Sequence, residues 1–378
     1  MMRTFNTYQQ GAERRTGVLF RFGSSRCLSP SAPFGLFIIL LAAMLLSASC
    51  SELDVRMDTE HSIHLSVYSD VATKGSSNGP LAGVDFPDNR LILLSAHYTD
   101  PRGERNQNLF TDITFSKYGS PARWQAGTVS SPNVKYWPFW GTMDFIAVTK
   151  ATSSSEPSLA GVVWHPQGSN AAAKIRYDMP DNSSIQDDVM FAFAGGRDCE
   201  AHENVPMIFR HAQAQVAVSA ASTTNTTNVG ISVRGVYLCN ACFSGLVEAT
   251  AIGTDSLTFV WSDVASSTLE VPVWLASPTP QRLSLQQTPI GHGILVPAQS
   301  PAGVVSIRLD ITIHDGLKSD GTTPDDVNIS YMYTIPSGTW VAGKKYQYAF
   351  TISLTEIICE MTISDDWDPP VNMPEATI

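Results

Sequence analysis

Any chemistry in this sequence has to start from its cysteines, histidines and tryptophans. Cys239 and Cys242 form a C-x-x-C in YLCNACFSG. Thiols at that spacing build a zinc site when a second such pair or two close histidines complete the ligands, and a redox site when a βαβ pattern surrounds them. Neither accompanies them here, which leaves a structural disulfide or free thiols. His61 and His64 are three apart, and on an extended strand that spacing sends their side chains to opposite faces, so no metal is expected. His211, in VPMIFRHAQAQVAV, is flanked by alternating apolar residues and reads as a hydrogen-bonded structural histidine. The acidic loop 315–326 departs from the EF-hand spacing and has no closing Glu, so it reads as a hairpin loop. Trp137 and Trp140, in YWPFWG, could stack on sugars or cap a core; Met143, Phe145 and Ala147 continue a strand behind them and favour the core. No G-x-S-x-G elbow, H-E-x-x-H, Walker loop or G-x-G-x-x-G after a strand occurs, so no enzyme and no cofactor is expected.

Cys50 stands apart because of what precedes it. The stretch 34–50 reads FGLFIILLAAMLLSASC, and its apolar core 34–46 is 13 residues long. That is shorter than the roughly 20 residues that span a bilayer and suits the apolar region of an export signal. Arg14, Arg15, Arg21 and Arg26 supply the positive flank. Ser47, Ala48 and Ser49 lead into Cys50 in an arrangement that resembles the lipobox of bacterial lipoproteins, where the cysteine sulfur takes a diacylglycerol and the chain is cut before it. An ordinary export signal cut near Ser49 is the alternative. Loss of residues 1–49 removes five basic residues and one acid, which moves the net charge from -11 to -15. A chain so acidic is not expected to bind nucleic acid.

The elements that must position these residues are strands. Residues 50–60 are polar and aperiodic and read as a lipidated tether. Ile63, Leu65 and Val67 then alternate with His64, Ser66 and Tyr68, the period-2 signature of a half-buried strand. Lys74 follows in the Gly/Ser-rich ATKGSSNGP, an exposed break where a trypsin-like protease could cut and leave a complete strand on the released side. Short apolar segments separated by turn chemistry continue to the end of the chain. In 304–314, VVSIRLDITIH, Val305, Ile307, Leu309, Ile311 and Ile313 fall on one face. No 15-residue stretch carries a strong 3.6-residue repeat, so the chain is expected to be all-β and built of sandwiches. About 330 residues remain after export, enough for two domains. The polar run RDCEAHEN sets the boundary at residue 204, giving modules 61–204 and 205–378.

Four segments together resemble one family. They are KYWPFWGTMDFIAVTK; DDVMFAFAGG followed by VPMIFRHAQAQVAVSA; GILVPAQSPAGVVSIRLDITI; and SGTWVAGKKYQYAFTISL with its closing MTISDDWDPP. In this order, behind a lipobox, they resemble the fimbrillin family, the Mfa-like and FimA-like pilins and pilin-related lipoproteins of Bacteroidales. The resemblance implies two tandem transthyretin-like or Ig-like β-sandwiches, export as a lipoprotein to the outer membrane surface through Cys50, and a role in adhesion by a surface fimbria. It also implies a trypsin-like processing protease, acting here at Lys74, that removes the first strand with Ile63, Leu65 and Val67. A strand from another pilin subunit then fills the opened groove. Cleavage at Arg56 would free the lipid without opening a groove. The tail 368–378 contains Pro369, Pro370 and Pro374, which cannot donate to a ladder, so a tip or anchor subunit fits at least as well as a stalk subunit. The alternative function is a surface lipoprotein that captures glycans with Trp124, Trp137, Trp140 and Trp164, all in the first half.

Overall fold

Strands whose alternate residues are apolar bury one face, and strands that are apolar throughout must be covered on both. The computed structural model of the protein contains both kinds. It describes residues 55–364 except 70–89, 103–105, 119–122, 129, 152–157, 160, 165–170, 179–185, 187, 228, 265–269, 276–278, 292, 302 and 317–325. The signal region, Cys50, Lys74 and the tail after residue 364 lie outside the described residues.

The first part of the chain supplies β1 (Met57–Ser62), β2 (Leu65–Ser69), β3 (Arg90–Thr99), β4 (Asn106–Tyr118), β5 (Arg123–Thr128), β6 (Ser131–Pro132), β7 (Tyr136–Pro138), β8 (Thr142–Ala151), β9 (Val163–Trp164), β10 (Ala171–Asp178) and β11 (Met190–Asp198). A 3₁₀ turn, Cys199–Ala201, precedes β12 (Val205–His211), β13 (Gln213–Ser222), β14 (Val229–Cys239), β15 (Ser244–Ile252), β16 (Ser256–Ser262), β17 (Glu270–Leu275) and β18 (Gln281–Arg282). Then come β19 (Thr288–Pro289), β20 (Ile294–Pro297), β21 (Ser306–Asp315), β22 (Asp326–Thr334), β23 (Lys345–Ile352) and β24 (Ile357–Ser364). The described residues contain no α-helix, and the all-β expectation holds.

One large sheet runs β2-β12-β11-β8-β3-β4-β5-β6, and β2 also touches β5, so the sheet curls toward closure. Its inner face gathers Ile92, Leu94, Phe115, Phe145, Ala147, Ala192, Met207 and Phe209 into one core. The alternate residues of its central strands, Leu93, Ile146, Val148, Phe191 and Phe193, form a second core on the opposite face. That face is covered by the sheet β16-β15-β10-β9, which contributes Ala173, Ile175, Val247 and Ala249. Burial on both sides explains why Ile92 to Tyr98 are buried without interruption. In β10, by contrast, buried Ala171, Ala173, Ile175 and Tyr177 alternate with more open neighbours.

The later strands form two sheets, β19-β13-β23-β24 with β20 beside β13, and β17-β14-β21-β22 with β18 beside β14. A third core lies between them, with Val216, Val218, Ile231, Ile307, Leu309, Ile311, Tyr348 and Phe350. The alternation of Ile307, Leu309 and Ile311 is realised in β21, with Val305 just before it, all four being buried. The closing motif around Trp340 is a packed corner. Trp340 exchanges backbone hydrogen bonds with Gln299, and its indole donates to the Tyr348 hydroxyl at 3.1 Å. Gly343 takes φ +74, a turn that favours glycine, and lets Tyr346 fold back to donate to the Thr339 carbonyl at 2.7 Å. The Gln299 side chain also clasps Cys242, accepting from its amide and donating to its carbonyl at 2.9 Å each. Thus the P-x-Q, W-x-x-G and C-x-x-C segments meet at one place.

The change of sheet does not fall at residue 204. β12 hydrogen-bonds to β2 and β11, and β15 to β10, so residues 205–211 and 244–262 are built into the sheets of the first part. The first crossing is Ala212, a single residue between β12 and β13; the chain returns to the first part for β15 and β16 and leaves it again for β17. A buried polar set surrounds Ala212. His211 Nδ1 lies 2.8 Å from Asp188 Oδ1, the Val189 amide donates to Gln213 Oε1 at 2.8 Å, and Thr149 Oγ1 donates to the Asp188 carbonyl at 2.9 Å. The Trp261 indole donates to the Ala212 carbonyl at 2.8 Å. Buried polar groups deprived of a partner are costly, so Asp188→Ala is expected to destabilise the protein by about 1–3 kcal/mol, read as a lowered midpoint in chemical unfolding.

Candidate functional site

The site that the geometry singles out is the seat of β2. This strand runs parallel to β12 in a register from Leu65 opposite Val205 to Ser69 opposite Phe209. On its other side one pair, Leu65 with Trp124, joins it to β5. Two further backbone bonds extend the seat: Val205 donates to the His64 carbonyl at 2.8 Å, and Ile63 to the Lys135 carbonyl at 2.7 Å. Ile63, Leu65 and Val67 are 2%, 5% and 0% exposed, while His64, Ser66 and Tyr68 are half-buried. The expected exchanged strand 63–67 is therefore realised as an alternating strand, displaced so that its sheet pairing begins at Leu65. Burial of each apolar side chain contributes about 1.5–3 kcal/mol. The strand lies between β12, with Val205, Met207 and Phe209, and β5, with Trp124 and Ala126, all in the same core. Without β2 the sheet would present a slot between β5 and β12 with two unpaired strand edges.

The segment before it is not only tether. Met57–Ser62 forms β1, which pairs with β7 through Met57 opposite Pro138 and Asp58 opposite Trp137. The sequence concealed this because the strand has no apolar alternation. Polar contacts hold it instead: Asp58 Oδ1 accepts from the Glu60 amide at 3.0 Å and Asp58 Oδ2 from His61 Nδ1 at 2.7 Å. Burial alone would raise the Asp58 carboxyl, but the His61 and Glu60 hydrogen bonds and the nearby imidazoles outweigh it and hold the carboxyl below its ordinary value. The second imidazole is His202, just after the 3₁₀ turn, whose Nε2 lies 3.3 Å from the same oxygen. Sequence spacing sends His61 and His64 to opposite faces and names no other partner for His61. The partner that matters lies in RDCEAHEN, the run read as a boundary.

The tryptophans do not share a surface. Trp137 is 1% exposed and packs edge-on to Phe145, at 5.8 Å between ring centroids, so its faces are unavailable to a sugar. Trp140 is 45% exposed beside Phe139. Trp124 is buried, and half-buried Trp164 stacks on His97. Among the described residues the four cysteines, Cys199, Cys239, Cys242 and Cys359, are free. Burial pushes the Cys199 thiol up to about 12, with Asp198 and Glu200 adding to it, and burial pushes Cys359 up to about 11. His211 is held by Asp188 inside the joint. The ends of the acidic loop belong to the antiparallel pair β21 and β22, where His314 Nδ1 lies 2.8 Å from Asp326 Oδ1.

Two outcomes follow from this geometry. Val67→Asp, which places a carboxylate at a fully buried position, is expected to loosen β2. It should raise amide hydrogen exchange in 63–69 and in β5 and β12 while the core around Tyr348 keeps its protection. Because a raised thiol pKa leaves little thiolate at pH 8, Cys199 and Cys359 should alkylate far more slowly in the native than in the unfolded protein, as mass spectrometry of iodoacetamide-treated samples would read.

No curated protein sequence matches the chain. A solved fimbrial protein from Bacteroides vulgatus ATCC 8482 superposes with a TM-score of 0.58 at 13% identity, covering 81% of this chain and 100% of that one. A candidate cell adhesion protein from Bacteroides ovatus ATCC 8483 superposes with a TM-score of 0.50 at 15% identity, covering 82% and 98%. These likenesses establish a shared fold. The model of the fimbrillin-like family matches residues 82–367, well over half of the sequence, and the chain belongs to that family.

Proposed function

We propose that the protein is a subunit of a surface fimbria, exported as a lipoprotein through Cys50 and assembled at the outer membrane by exchange of its first strand. Family membership supports the fimbrial role and association with other pilin subunits. The observation that carries the exchange mechanism is the seat of β2, a short parallel strand whose Leu65 and Val67, with Ile63 just before it, fill a core and whose second edge is closed by one residue pair. A cut at Lys74 by a trypsin-like protease would make β2 a separate peptide, held by five residue pairs with β12 and by its buried side chains. A strand of the same alternation from a neighbouring subunit could then replace it, backbone bonds giving affinity and the alternate side chains giving register.

The prolines at 369, 370 and 374 leave the tail poorly suited to act as such a strand. We therefore assign the chain an accepting role, at a fimbrial tip or as an accessory subunit, over a repeating stalk role. In this reading the chain is two β modules that meet at Ala212. Adhesion is the expected activity of the assembled fimbria, and the burial of Trp124 and Trp137 removes two of the four tryptophans on which a glycan-binding reading depends.

The test is limited proteolysis of residues 51–378 with a trypsin-like protease. Mass spectrometry is expected to find one dominant cut at Lys74. A synthetic peptide of alternating apolar pattern should then displace the 51–74 fragment, a displacement that size-exclusion chromatography can follow. Resistance at Lys74, or a cut after which the fragment cannot be displaced below the unfolding transition, would overturn the exchange mechanism.

A further inference from the structure

Asp58, His61 and His202 bring three metal-ligating atoms to within 4.8 Å of one another. Asp58 is 8% exposed. One of its oxygens is fixed by the Glu60 amide, and the other faces His61 Nδ1 at 2.7 Å and His202 Nε2 at 3.3 Å. The imidazole rings lie stacked, with centroids 3.9 Å apart and planes 2° from parallel. His202 adopts φ 49 and ψ 27, a left-handed conformation uncommon for a residue with a side chain. Its Nε2 is inaccessible to solvent and makes no well-directed hydrogen bond, despite its distance to the carboxylate. A conformation of this kind, holding a buried nitrogen against a carboxylate with poor hydrogen-bond alignment, is accounted for if the nitrogen is a ligand.

We propose that Asp58 Oδ2, His61 Nδ1 and His202 Nε2 bind a divalent transition-metal ion of the zinc class, with water completing its coordination. Two imidazoles and a carboxylate suit such an ion and are poorly matched to calcium or magnesium, which take oxygen ligands. With bonds of about 2.0–2.1 Å, tetrahedral donors sit roughly 3.3 Å apart. The His202 contact already has that spacing. The His61 contact must open by about half an ångström, and the two rings must rotate out of their stack so that their lone pairs converge. The His61 side chain is 48% exposed and has room to turn. The Glu60 amide on the other Asp58 oxygen is the outer-shell contact that orients a ligating carboxylate. A bound ion would tie β1 to the turn before β12, two segments far apart in sequence, and because Asp58 and His61 precede Lys74 it would also hold the fragment released by the proposed cut.

The full chain, untagged and purified in detergent, is titrated with Co²⁺ while its visible d–d absorption is followed, and the ion is then displaced with Zn²⁺. One Co²⁺ per chain is expected, with a band of tetrahedral or five-coordinate intensity. Asp58→Asn keeps the side-chain size and His202→Asn keeps a residue that tolerates the left-handed conformation; each should weaken binding by about 10- to 100-fold or more. His314→Gln, at a histidine outside the cluster, should leave binding unchanged, and circular dichroism checks that each variant is folded. Absence of a saturable band in the wild-type chain would overturn the site. So would a band retained at wild-type affinity in folded His202→Asn and Asp58→Asn, or one lost in folded His314→Gln.

Discussion

The whole arrangement depends on one crossing. At Ala212 the chain leaves a sheet of the first part and enters a sheet of the second, with no loop to carry it through solvent. A backbone that turns inside a protein must find partners for every amide and carbonyl it exposes on the way. Here they are supplied locally: the Ala212 amide donates to the Val189 carbonyl, the Trp261 indole to the Ala212 carbonyl, and Gly343 to the Gln213 carbonyl. Asp188, His211, Thr149 and the Gln213 side chain fill the remaining polar volume. Because Trp261 comes from β16 and Gly343 from the turn before β23, this joint fixes three cores against one another.

The seat of β2 is the opposite kind of feature. The central strands of the large sheet have neighbours along their length and cores on both faces, whereas β2 has a full neighbour on one side and one residue pair on the other. Its stability rests on three side chains and a short parallel ladder, a form of pairing slightly weaker per residue than the antiparallel one. A fold that hid every edge would have no place for an incoming strand. Here β2 is held on one side by a five-residue ladder, and the joint at Ala212 lies beyond the far end of the neighbouring β12.

Much of this was legible in the sequence wherever a residue's role follows from its neighbours in the chain. The faces of β21 and β23, the burial of Ile63, Leu65 and Val67, the core role of Trp137 and the structural role of His211 all come from period-2 alternation. The four segments also identified the family. What could not be read depends on residues distant in sequence. Asp58 and His61 acquire their meaning from His202, and the polarity of RDCEAHEN reflects a turn that supplies a half-buried imidazole. Likewise the alternation of β15 reveals that one face is covered but not by which sheet, and its pairing with β10 joins it to strands far earlier in the chain.

That last point bears on how the molecule is made. The core containing Leu93, Ile146 and Phe191 is sealed by Val247, Ala249 and Ala251, which are synthesised well after the strands they cover. Until β15 and β16 have emerged, β3, β8 and β11 have one uncovered apolar face, the condition under which strands associate wrongly. Contacts of such long sequence separation also fold slowly. Under the export proposed above, all the strands would reach one compartment before any core must close, and a topology hazardous during synthesis would become tolerable because folding is deferred.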